Sequence, residues 1–272
     1  MRGEFLDLAG RRLYYYAAGT RGAGEPVLLL HGFPASSYLW SNVVRCMPDG
    51  YRLIVLDQLG YGRSDRPDGA ALSVSAHARR ALDVLDVLQV PRACIVGHGL
   101  GGAVAQWMAV HAPERVTRLA LVSSVGLDAW PAWRTRVAQF ARPVARLLPA
   151  SLVAGQAYAA LLRGFDDRDE GRHALDQFLR PFAQPLGRDP LLAHLAALRP
   201  DETATLDLGA IRAPTAIVHG ARDPFVPVSM ARALQRAIPA ASLDVLSEGR
   251  HYLPLDAPDR VAAAVGALLT RA

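Results

Sequence analysis

A series of short apolar runs, each closed by a polar or glycine-bearing turn, restricts the folds open to this chain more than any other feature. They are Pro26 to Leu30, Arg52 to Leu56, Ala93 to Val96, Val116 to Val122 and Pro214 to Val218, with Leu243 to Leu246 last. Runs of this length without alternation read as strands buried on both faces. Between them the apolar period changes. Ala78, Leu82, Leu85 and Leu88 share one face of a helix predicted over Ser75 to Gln89. Further helices are predicted over Tyr38 to Met47, Leu100 to His111 and Pro258 to Leu269, and a hairpin over the Leu6 region and Arg12 to Ala18. Strands alternating with helices specify the α/β class, a mostly parallel central sheet with helices on both faces.

The alternation stops between about Leu127 and Leu208. That stretch is rich in Ala, Leu and Arg, has no strand run, and is broken by Pro143, Pro149, Pro181, Pro185 and Pro190. It reads as a helical cap insertion. The expected organisation is a core of residues 1–126 and 209–272 and a cap of residues 127–208. A cap over the carboxyl edge of an open sheet lies where ligands bind in such folds. Its aromatic residues, Trp130, Trp133, Phe140, Tyr158, Phe165, Phe178 and Phe182, either line a pocket or, for most of them, fasten the cap to the core.

Composition narrows the function classes. All 30 basic residues are Arg, so lysine Schiff-base and lysine general-base chemistry are excluded. The net charge of +5 is spread along the chain rather than blocked, which argues against a nucleic-acid partner. No apolar run approaches the ~20 residues of a membrane span, so no membrane partner is expected. Met1 to Phe5 form no apolar signal stretch, and Cys46 and Cys94 do not make a disulfide framework; a cytoplasmic setting is expected. No His, Cys, Asp or Glu grouping has ligand spacing, so neither metal nor other cofactor is expected. The oligomeric state is left open.

The segment Gly97-His98-Gly99-Leu100-Gly101-Gly102, after the Ala93 run, has the outline of a nucleophile elbow. In that motif, Gly-x-Ser-x-Gly, the strand turns sharply into a helix and presents the middle Ser above the sheet. Here the middle residue is Gly99. Gly97, Gly99 and Gly102 also satisfy Gly-x-Gly-x-x-Gly, a dinucleotide fingerprint. That match exists only because residue 99 is Gly, it falls in mid-chain, and the next strand ends in Ser123-Ser124 rather than an acid. Ser123 and Ser124 end a strand where a hydroxyl approaches such a site.

Four segments in order now carry a resemblance. They are His31-Gly32-Phe33-Pro34, Asp57 to Pro67 with its Gly60-Tyr61-Gly62, the elbow, and Asp223 followed by His251. Together they resemble the α/β-hydrolase superfamily over nearly the whole chain. The resemblance implies the α/β-hydrolase fold, an Asp223–His251 pair, and an oxyanion hole from the backbone N–H groups of Phe33 and Leu100, with His31 orienting its loop. Asp57 and Asp65 are read as loop fixtures, and Asp256 and Asp259 as caps of the last helix. His98, His111, His173 and His194 receive no role.

Within the superfamily, Leu100 and the following double Gly look like serine esterases and lipases. The His31–Pro34 loop also looks like that of haloalkane dehalogenases and epoxide hydrolases. Those carry Asp, usually followed by Trp, at positions 99 and 100; Leu100 and a lone cap tyrosine, Tyr158, depart from them. Carbon–carbon bond hydrolases differ at Phe33-Pro34 and Tyr252. The expectation is a carboxylic-ester-type hydrolase acting on a small, mainly apolar molecule, with its nucleophile Ser replaced by Gly99 in a trapped or inactivated form. Two alternatives stand beside it. One is a natural enzyme of lyase, cyclase or dehydratase type that uses His251 and Asp223 without a covalent intermediate. The other is a ligand-binding pseudoenzyme.

Overall fold

A computed structural model describes residues 3–19, 24–66, 71–128, 130–184 and 186–270. The opening hairpin is β1 (Gly3–Asp7) and β2 (Arg12–Gly19), paired antiparallel. The apolar runs form β3 (Pro26–Leu30), β4 (Arg52–Leu56), β5 (Ala93–His98), β6 (Val116–Val122), β7 (Thr215–Gly220) and β8 (Ser242–Leu246). Their order is β1-β2-β4-β3-β5-β6-β7-β8, parallel from β4 onward. This is the mostly parallel sheet that the sequence patterning predicts.

Helices α1 (Ser41–Cys46), α2 (Val74–Val87) and α3 (Leu100–His111) follow β3, β4 and β5. The helix expected over Tyr38 to Met47 begins instead as a 3-10 turn, Ser37–Trp40, capped by the Ser36 hydroxyl. Between β6 and β7 lie α4 (Trp133–Phe140), α5 (Arg142–Ala145), α6 (Ala150–Leu161), α7 (Arg168–Leu179), α8 (Arg188–Ala197) and α9 (Asp201–Ala204). The chain ends with α10 (Val228–Ala237), α11 (Leu253–Asp256) and α12 (Pro258–Leu269).

Two apolar layers result, one per sheet face. Leu28, Leu30, Ile54 and Ile95 meet α2, α3 and α10 on one side; Val27, Leu29, Val55 and Val96 meet α1, α11 and α12 on the other. Each such side chain contributes about 1.5–3 kcal/mol through burial. The strand registers bring Leu30 beside Gly97, His98 beside Val122 and Val122 beside Val218. The loops after β3, β5, β6 and β7 therefore open at one edge of the sheet.

The segment between β6 and β7 is held to that edge. Gly164 O accepts the His251 N–H at 2.9 Å, Glu202 Oε2 accepts the Ser75 N–H at 2.8 Å, and Phe165, Phe178 and Phe182 are buried; within the segment the indole N–H of Trp130 donates to Thr203 Oγ1 at 2.8 Å. Trp133 and Phe140 depart from both expectations for the aromatic residues, since they neither fasten the segment nor sit in a pocket and are exposed to solvent. The capping expectation for Asp256 fails as well. Ala257 occupies the N-cap of α12 with Pro258 behind it, and Asp256 Oδ2 instead accepts the Asp166 N–H at 3.0 Å. Asp259 lies in the first turn of α12 and likewise is not its cap.

Candidate active site

Gly99 joins β5 to α3 with φ 54° and ψ −118°, a backbone region that side chains rarely occupy. Glycine reaches it without strain. A Cβ added there would lie 3.6 Å from Gly32 Cα, 3.6 Å from His251 Nε2 and 3.8 Å from His251 Cε1. All three are ordinary contacts. The position is vacant of side chain, and the imidazole faces it.

His251 follows β8, and its Nδ1 lies 2.7 Å from Asp223 Oδ2. Asp223 lies in the loop after β7 with its side chain fully buried. Its other oxygen, Oδ1, accepts the N–H groups of Phe225 at 2.8 Å and Val226 at 3.0 Å. Burial pushes the carboxyl up, but the His251 imidazole and the Val226 N–H outweigh it and hold Asp223 below the ordinary carboxylate value. An ionised Asp223 accepts a hydrogen bond from His251 Nδ1–H, which keeps the ring proton on Nδ1. The lone pair of Nε2 is then free and turned to the space above Gly99.

The imidazole is fixed from several sides. The N–H groups of His251 and Tyr252 both donate to Gly164 O, at 2.9 and 3.1 Å, tying the histidine turn to the segment between β6 and β7. Phe225 meets the His251 ring edge-on at 5.1 Å. His98, to which the sequence reading gives no role, lies beneath. Its Nε2 donates to His251 O at 3.0 Å, and its ring meets that of His251 at 4.6 Å. Burial, with the nearby His251, drives the His98 pKa well down, so it stays neutral. The only signal for His98 in the sequence is its place beside residue 99.

His31 donates from Nδ1 to Gly32 O at 2.9 Å and accepts the Gln58 N–H on Nε2 at 3.1 Å. Its ring is buried, which lowers its pKa against the pull of Asp57. Gln58 in turn donates to His31 O at 2.6 Å. Gly32 lets this loop approach the elbow: a Cβ there would stand 2.9 Å from His98 O and 3.2 Å from Leu100 N. Phe33 follows Gly32 directly in this loop. Asp57 receives the Ser37 and Arg63 N–H groups, and Asp65 the Arg12 N–H.

Ser124 is turned away from the site. Its Oγ accepts from Gln106 at 3.0 Å and donates to Val125 O at 2.8 Å. Ser123, with φ 45°, has a buried Oγ without a hydrogen-bond partner among the described residues. His194, from α8, packs against Tyr61 with ring centroids 4.0 Å apart, and burial lowers its pKa to about 3. Among the described residues no group of three His, Cys, Asp or Glu is placed to hold a metal ion, and no helix is long and apolar enough to cross a membrane.

Comparison with known proteins agrees with this architecture. A family model described as alpha/beta hydrolase fold matches residues 25–258. Haloalkane dehalogenase 2 of Mycobacterium tuberculosis is 29% identical over 96% of this chain and 93% of its own. The 2-hydroxymuconate semialdehyde hydrolase of a Pseudomonas species is 30% identical over 94% of this chain and 93% of its own. Among solved structures, the enol-lactonase from Burkholderia xenovorans superposes with a TM-score of 0.81 at 21% identity, covering 98% of this chain and 100% of that one.

Proposed function

Because the chain belongs to the alpha/beta hydrolase fold family, we propose that it carries a carboxylic-ester-type hydrolase site whose nucleophile Ser is replaced by Gly99. One observation carries this reading. His251 Nε2 is 3.6 Å from the place a Cβ of residue 99 would take, and the same imidazole is bonded to buried Asp223. A base held by a carboxylate and aimed at an unoccupied nucleophile position is the arrangement acyl transfer needs, less one hydroxyl.

In this reading the Phe33 and Leu100 N–H groups receive the oxyanion of the tetrahedral intermediate, a contribution of about 3–4 kcal/mol per donor. Asp223 keeps the His251 proton on Nδ1 and stabilises the imidazolium formed when Nε2 takes a proton. Residues 127–208 act as the cap over residues 1–126 and 209–272. Phe225, edge-on to the imidazole, and the partly buried Phe33 beside the elbow loop favour a small, mainly apolar substrate. Leu100 has no side-chain N–H for a halide, and Gly99 no carboxylate for alkylation, so dehalogenation like that named for the mycobacterial relative is disfavoured.

The test is Gly99→Ser assayed with short p-nitrophenyl esters. A gain of about 10³-fold or more is expected, since removing the nucleophile of a serine hydrolase costs up to about 10⁶-fold. A rate equal to that of the unaltered chain would defeat the reading.

The room above Gly99 favours a second reading, in which a water or substrate hydroxyl stands there and His251 acts on it directly. General-base catalysis with an oxyanion hole then supports hydrolysis or elimination without a covalent intermediate, worth about 10²–10⁴-fold from the base. For this reading His251→Ala must abolish turnover by the unaltered chain; an unchanged rate removes it.

A further inference from the structure

Helices α4 and α5 carry an apolar stripe that no described residue covers. Trp133, Val137, Phe140, Val144 and Leu147 are 66%, 56%, 90%, 63% and 84% exposed. Trp133, Val137 and Phe140 share one side of α4 at spacings of four and three residues, and Val144 on α5 and Leu147 in the turn after it continue the same spacing. The opposite side is seated, because Gln139 Nε2 donates to Leu195 O at 2.9 Å and Leu198 O at 2.8 Å. The stripe is therefore a surface in its own right, and larger than scattered exposed residues would make.

The charge around it selects the occupant. From Ala129 to Phe165 the sequence has five arginines and neither Asp nor Glu. Arg134 and Arg136 are exposed and flank the stripe, with the Arg134 guanidinium 4.9 Å from the Trp133 ring centroid. A second copy laid on this face would bring arginine against arginine, with no acid in the segment to pair them. An anionic surface meets both the arginines and the apolar side chains. Apolar residues with Trp on one face, bordered by Arg, are what lies in a bilayer interface.

We propose that α4 and α5 dock the protein on the surface of an anionic lipid bilayer, with Trp133 and Phe140 inserted at the headgroup level. The absence of a spanning segment does not bear on this, since such a helix lies in the surface plane rather than across it. The inference is independent of the chemistry assigned to the site, because it rests on the outer face of the segment alone.

The test is co-sedimentation of the full chain with vesicles of phosphatidylcholine alone or mixed with phosphatidylglycerol, at low salt and in high salt. Binding is expected to the mixed vesicles only and to weaken with salt. Arg134→Glu with Arg136→Glu should lower the partition coefficient by about 30-fold or more, about fivefold for each arginine lost. Trp133→Ser with Phe140→Ser should lower it by at least about tenfold. Every substituted side chain is already in water, and a thermal melt matching that of the unaltered chain accompanies each measurement. Failure of the unaltered chain to bind mixed vesicles at low salt overturns the proposal. So does a concentration-dependent dimer that Trp133→Ser with Phe140→Ser dissociates while vesicle binding is absent.

Discussion

Restoring a hydroxyl at residue 99 should have two separable effects, one on rate and one on stability. The Cβ of Gly99→Ser meets nothing closer than 3.6 Å, so no clash opposes it. One further bond carries Oγ toward His251 Nε2 and within hydrogen-bond reach, about 2.7–3.0 Å for a short contact. The backbone is the opposing factor. At φ 54° and ψ −118° a non-glycine residue costs about 1–3 kcal/mol. For a chain of this size that lowers Tm by a few degrees, at about 2–4 °C per kcal/mol. The assay pairs steady-state hydrolysis of p-nitrophenyl butyrate with a thermal melt. The expected result is a Tm loss of a few degrees together with a rate gain of about 10³-fold or more and a burst of p-nitrophenol. The reasoning is refuted if the variant melts as expected, hence folds, and yet shows neither burst nor gain.

Other expectations follow from single contacts. Asp223→Asn in the Gly99→Ser background should cut kcat by about 10⁴-fold by presenting the wrong His251 tautomer, with little change in KM; steady-state kinetics decide it. Gly32→Ala should destabilise the fold by about 1–3 kcal/mol, since its Cβ would press to 2.9 Å from His98 O; a denaturant titration reads this. Asp256 tests the pH dependence of stability. Burial first, then Asp166 and Asp167, raise its pKa from 3.8 to about 7 in the folded chain. The folded state thus holds an extra proton between those values, and stability falls as pH rises from 3.8 to about 7. Asp256→Asn should flatten that window and gain up to about 4 kcal/mol at pH 8, measured by urea unfolding; an unchanged pH profile would contradict it.

The fold was legible because its strands are buried on both faces. Uninterrupted runs such as Leu28-Leu29-Leu30 leave little choice of environment, and the turn after each fixes where the sheet edge lies. The pairing of Asp223 with His251 was legible only through the order of motifs, since 28 residues separate them and no local pattern joins them. What stayed hidden was tertiary. His98 has an ordinary helix-entry sequence around it, and its support of His251 depends on a carbonyl 153 residues away. Asp256 precedes a helix as a cap would, but a donor from Asp166 competes for its carboxylate. Trp133 and Phe140 have the composition of anchors, and only the seating of Gln139 on α8 turns them outward.

The claim on which the rest depends is that His251 Nε2 serves position 99. The direct measurement is labelling of Gly99→Ser by a fluorophosphonate, followed by intact-protein mass spectrometry over time, beside the same variant carrying His251→Ala. Rapid addition of one phosphonyl group to residue 99, slowed by about 10³-fold or more when His251 is removed, is the predicted result. Equal labelling rates in the two proteins would mean that the imidazole does not act there.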